Sequence, residues 1–114
     1  MRSILLLTCS PKGATAYSRL VAHEVADRLA AANPGAEVHS RDLTADPPPL
    51  PGAAFSAAVL SGAPADDPAF IASEALIREL EACDALVIGT PMHNYSVPVV
   101  LKAWIDQIVR IHRT

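Results

Sequence analysis

Cysteine, aromatic residues and net charge are all scarce in this chain, and each scarcity closes off a class of function. There are two cysteines, Cys9 and Cys83, far apart and without metal-ligand spacing. They read as reduced thiols at strand ends. Aromatics make up 4% of residues, and 9 basic residues stand against 12 acidic ones, for a net charge of −3 and a pI near 5.7. With no long basic run, nucleic acid and anionic membrane are not the expected partners. No run approaches the roughly 20 apolar residues of a membrane helix, and the opening run, about five apolar residues before Thr8, is too short for a signal peptide. The expected compartment is the cytoplasm. Also missing are a catalytic triad, a paired-carboxylate motif and a cluster of metal ligands.

What is present is apolar: 51% hydrophobic, 18% charged, with a mean hydropathy of +0.27, much of it alanine. The 114 residues suit one domain. The apolar surplus hints at a face covered by a partner.

Ile4 to Leu7 is a short unbroken apolar run stopped by Thr8-Cys9-Ser10-Pro11, which predicts a central strand. A hydroxyl-rich turn, Ser10 to Ser18, leads into a helix over 16–32. The expected inward face of that helix is Leu20 or Val21, Val25 and Leu29, and Asn33-Pro34-Gly35 ends it. Glu37 to Asp42 reads as a weaker edge strand. The segment 43–68 carries most of the 10 prolines and reads as a surface excursion with a short helical turn near 53–60. A helix over 68–82 follows, with Phe70, Ile71, Leu76, Ile77 and Leu80 inward. Ala85 to Gly89 predicts a strand covered on both faces. The last helix starts near Pro98, with a stripe of Val97, Leu101, Trp104, Ile108 and Ile111. The order β-α-β-α-β-α predicts a parallel three-layer sandwich.

Two loops carry the candidate chemistry. Ser10 to Ser18 lies between the first strand and first helix, where helix N-terminal amides bind phosphate, with Lys12, Gly13, Thr15 and Ser18 in support. It matches neither Gly-x-x-x-x-Gly-Lys nor Gly-x-Gly-x-x-Gly. Alone, it is a weak signal and reads first as an ordinary capped helix start. The second loop, Thr90-Pro-Met-His-Asn-Tyr-Ser-Val-Pro98, offers Met92, His93, Asn94 and Tyr95 beyond the third strand. In a doubly wound sheet the first and third strands flank the switch point, so the two loops meet at one crevice. A phosphate nest beside a platform for a planar ring suits a flavin mononucleotide. Trp104 reads as core, His23, His39 and His112 as solvated side chains, and Lys102 with Asp106 as a surface pair.

Ser10-Pro-Lys-Gly, Tyr17-Ser-Arg-Leu and, above all, Thr90-Pro-Met-His-Asn-Tyr-Ser-Val-Pro with Leu101-Lys-Ala-Trp-Ile-Asp106 resemble the FMN-dependent NADH:quinone oxidoreductase and azoreductase family. The resemblance implies a flavodoxin-like fold of class α/β, represented by the first three β-α units of its N-terminal part, with strand order 2-1-3. It places the FMN phosphate on Ser10, Ala16, Tyr17 and Ser18. It places the ribityl chain and isoalloxazine against Met92, His93, Asn94 and Tyr95, and it assigns no catalytic side chain. Ala16 stands where many relatives have a serine, and His93 where a tyrosine is common. The family's Gly-rich loop after a fourth strand, and the residues that complete its dimeric site, have no counterpart here.

The implied activity is ping-pong electron transfer from NAD(P)H through FMN to a quinone or azo compound, in a homodimer or other self-associated form. The rival reading is a non-catalytic half-domain serving as a binding or assembly module. A flavodoxin-like electron carrier is a third, disfavoured by the mild negative charge.

Overall fold

The computed structural model describes residues 1–11, 16–91, 97–111 and 113–114. The run Ile4-Leu5-Leu6-Leu7 lies in β1 (Ser3–Thr8), and all four side chains are fully buried. Only the middle strand of a layered sandwich can bury alternate residues against helices on both faces, which is why this run shows no polar alternation. After β1 come α1 (Tyr17–Ala32), β2 (Glu37–Asp42), α2 (Ala53–Ser61), a 3-10 turn at Pro68–Phe70, α3 (Ile71–Glu81), β3 (Ala85–Gly89) and α4 (Val99–Ile108). The sheet is parallel in the order β2-β1-β3. Thr8 pairs with Asp42 on one side and Gly89 on the other, so the three strands end level with one another.

The two faces of β1 carry separate cores. Leu5 and Leu7 join Leu76, Ile77, Leu101, Trp104 and Ile108 of α3 and α4. Ile4 and Leu6 pack on Ala22 and Ala26 of α1. This second contact corrects the expected orientation of α1. Its inward residues are alanines, whereas Leu20, Val21 and Val25 are 54%, 57% and 43% exposed. Of the expected face, Leu29 alone touches the core. Small side chains let the helix axis approach the sheet, and the bulky ones are turned outward.

Three further expectations need adjusting. Ile71 is exposed, while Phe70, Leu76 and Ile77 are buried as expected and Leu80 packs at the edge of the core. β3 is covered on one face only: Ala85 and Val87 meet the α1 side, but Leu86 and Ile88 remain 39% and 40% exposed. The α4 stripe buries Leu101, Trp104 and Ile108, whereas Val97 and Ile111 lie beyond the helix and are exposed.

The proline-rich excursion is more ordered than its composition suggests. α2 is a nine-residue helix closed by Gly62 at φ +67, with Ala63 N–H donating to the Ala58 carbonyl. That is the left-handed glycine stop. The Gln107 side-chain amide of α4 donates to the Pro49 carbonyl at 2.7 Å, and Phe55 meets Phe70 edge to face at 5.6 Å. Phe70 also lies 3.7 Å beneath the buried Arg110 guanidinium, which pairs with Glu74 at 3.0 Å and donates to Ser73 Oγ at 2.9 Å. Arg113 bonds both Glu74 and Glu81.

Candidate functional site

Because the strands end level, the segments after them emerge side by side. Cys9 and Ser10, directly after β1, are buried, Cys9 fully and Ser10 to 5% exposure. Ala16 is also buried and holds extended backbone angles (φ −70, ψ 138), with its carbonyl accepting from Leu20 N–H at 3.0 Å. It is therefore the N-cap of α1 without a capping side chain. A serine there would supply an oxygen to the first-turn amides. The first turn holds no acidic residue, so among the described residues no carboxylate of that turn offsets the positive end of the helix. Tyr17 is 87% exposed, so what it offers toward the turn is backbone. Ser18 Oγ is fully buried and, among the described residues, has no hydrogen-bond partner. Leaving a buried hydroxyl unmatched costs about 1–3 kcal/mol.

The turn is held from both sides by residues the sequence did not single out. On the β2 side, Arg19 Nη1 meets Asp42 Oδ2 at 3.0 Å, and the other Asp42 oxygen accepts from Thr44 and Ala45 N–H at 2.9 and 3.3 Å. On the β3 side, Gly89 lies directly against the first turn: a Cβ placed there falls 2.6 Å from the Ser18 carbonyl oxygen and 2.6 Å from Ala22 Cβ. Cys9 Sγ donates to the Gly89 carbonyl at 3.4 Å. Burial pushes the Cys9 thiol up, only partly offset by a hydrogen bond with Thr90, so this buried cysteine is a packing group and not a thiolate. A glycine that ends a strand carries no pattern of its own, and a strand-end aspartate reads as turn chemistry. This is why neither was visible beforehand.

Of the sequence-predicted set, Ser10, Ala16, Tyr17 and Ser18 are gathered at the C-terminal end of β1, facing the end of β3. Met92, His93, Asn94 and Tyr95 lie outside the described residues, as do Lys12, Gly13 and Thr15. Thr90 and Pro91, at the root of the second loop, follow β3 immediately, beside Cys9 and Gly89. Among the described residues there is no cluster of His, Cys, Asp or Glu able to hold a metal ion, and no helix long and apolar enough to cross a membrane.

The family model for the flavodoxin-like fold matches residues 2–114. The chain belongs to that family. Its curated relatives include FMN-dependent NADH:quinone oxidoreductase 4 of Pseudomonas fluorescens, 44% identical over 114 residues, covering all of this chain and 55% of the relative. Quinone oxidoreductase 5 of Burkholderia lata is 40% identical, with 100% and 56% covered, and quinone oxidoreductase 2 of Cupriavidus pinatubonensis is 43% identical, with 100% and 57% covered. Among solved structures, an azoreductase of Bacillus anthracis superposes with a TM-score of 0.80 at 20% identity, covering 98% of this chain and 57% of that one. The chain thus spans little more than half the length of the family members it matches. The β2-β1-β3 order is the flavodoxin-like arrangement expected from the sequence.

Proposed function

We propose that this chain is an FMN-binding domain of the flavodoxin-like family, with the flavin phosphate at the start of α1. We propose further that its chemistry is transfer of electrons from NAD(P)H to quinones or azo compounds. The observation that carries this reading is the fully buried Ser18 hydroxyl at the first turn of α1, without a partner among the described residues and next to the closely packed end of β3. It stands together with whole-chain identity of 40–44% to three relatives named FMN-dependent NADH:quinone oxidoreductases. A polar, partly buried turn at a helix N-terminus suits a phosphate group. FMN, when bound, supplies the acceptance of a hydride and its delivery onward in a ping-pong cycle.

The chain's own residues supply binding and orientation. Ser10 and Ser18 provide hydroxyls, and Ala16, Tyr17 and Ser18 provide backbone toward the phosphate. Met92, His93, Asn94 and Tyr95 are the proposed wall for the ribityl chain and ring. No side chain is assigned a proton-transfer role. The exposed Leu86 and Ile88 on β3, with Tyr17, Val21 and Val25 on α1, support self-association, as in a homodimer, since apolar surface of this kind is normally covered. A cytoplasmic setting accords with this chemistry.

Flavin content tests the reading. Protein reconstituted with FMN and freed of excess ligand retains flavin absorbance, and Asn94→Ala weakens FMN retention about 10-fold, the loss of one or two polar contacts. His23→Ala, on the half-buried flank of α1, leaves it unchanged. Equal effects from the two substitutions contradict the assignment of the second loop.

A further inference from the structure

Gly89 is more than the last residue of a strand. Its φ is outside the positive region that glycine alone tolerates, so backbone geometry does not require glycine here. Space does. The two closest contacts a Cβ would make, 2.6 Å to the Ser18 carbonyl oxygen and 2.6 Å to Ala22 Cβ, are below 3.0 Å, where something must shift. Neither neighbour can swing aside. The Ser18 oxygen is helix backbone, and Ala22 Cβ is fixed to the next turn, buried against Ile4 and Leu6. The strand cannot yield easily either, because Gly89 pairs with Thr8 and its carbonyl accepts from Cys9 Sγ. Any side chain at this position therefore moves the first turn of α1 outward by a good part of an ångström.

We infer that Gly89 is a positioning residue that sets the distance between the α1 first turn and the strand ends, and so selects ligands that carry a phosphate over those that lack one. The inference rests on the flavin reading above. Ser18 carries its amide and its buried hydroxyl, unpartnered among the described residues, on the turn that Gly89 holds in place, whereas Ser10 is fixed to the end of β1. Displacing one side of this cradle relative to the other lengthens and bends hydrogen bonds to a bound phosphate, and such bonds weaken steeply with geometry. Riboflavin carries no phosphate and makes none of these bonds.

The test is the affinity of the full chain for FMN and for riboflavin, each titrated by quenching of flavin fluorescence, in the wild type and in Gly89→Ala. Gly89→Ala, confirmed as folded by circular dichroism, raises the Kd for FMN about 10-fold and leaves that for riboflavin within about twofold. Equal weakening of both ligands, or an unchanged FMN-to-riboflavin ratio, overturns the inference. Should Gly89→Ala fail to fold, Ala22→Val places bulk on the opposite side of the same contact and shows the same selective loss or overturns the inference. A wild type that binds neither ligand overturns the flavin reading itself. A wild type that binds FMN while the variants keep its ratio to riboflavin overturns the role of Gly89 alone.

Discussion

Single residues divide into those whose chemistry shows in the sequence and those whose importance comes from a neighbour. Ser10 and Ser18 belong to the first kind: hydroxyls between a strand and a helix read as candidate phosphate ligands, and Ser10 follows β1 while Ser18 lies in the first turn of α1. Gly89, Asp42 and Cys9 belong to the second, since their roles are contacts across the sheet that no local pattern encodes. The two thiols illustrate the difference. Cys9 is fully buried with its thiol pushed up by burial, whereas Cys83 is half-buried just before β3. A neutral thiol-specific reagent is therefore expected to label Cys83 at once and Cys9 only on unfolding. Two equally fast labels, counted by mass spectrometry, contradict the packing at the end of β1. Charge behaves similarly. Arg113 and Arg110 hold the Glu74 carboxyl below its ordinary value of 4.5, so the charged carboxylate favours the folded state. Its contribution is complete above that value and is lost as pH falls through the lower folded value. Glu74→Gln is expected to show a smaller drop in melting temperature between pH 7 and acid than the wild type. An identical drop counts against the pairing of Glu74 with Arg110 and Arg113.

At the scale of elements, periodicity located the three strands and the helices α1, α3 and α4 but misjudged which side of α1 faces in. Leu20, Val21 and Val25 carry the greater hydrophobicity, yet the helix approaches the sheet through Ala22 and Ala26. The close approach that Gly89 permits needs small side chains, and a count of apolar residues weighs size in the opposite direction. Ala26→Leu is thus expected to destabilise the fold by about 1–3 kcal/mol through overpacking, while Val21→Ser stays within about 0.5 kcal/mol. Chemical denaturation measures both, and a larger effect at Val21 contradicts the helix orientation. The excursion over 43–68 shows the same limit. Prolines and alanines gave only a surface loop and a turn, because the contacts that order α2, from Phe55 to Phe70 and from Gln107 to Pro49, join residues distant in sequence.

For the molecule as a whole, the fold class was readable because a β-α-β-α-β-α order leaves few topologies, whereas the β2-β1-β3 strand order came only with the family resemblance. Coverage of β3 was not readable, since an apolar strand looks the same whether one or both faces are packed. The chain spans 55–57% of three curated relatives, and Leu86 and Ile88 stand half-open on the outer strand. Light scattering is expected to show concentration-dependent association that Leu86→Lys reduces, and a wild type that stays monomeric at all concentrations contradicts it. The central claim, however, concerns the turn between β1 and α1 and the nucleotide phosphate proposed to sit there. Fluorescence titration of the wild-type chain with FMN and with riboflavin tests it most directly. Saturable quenching of FMN, at least about 10-fold tighter than that of riboflavin, is the predicted result. Equal affinity for the two flavins, or no quenching of either, contradicts it.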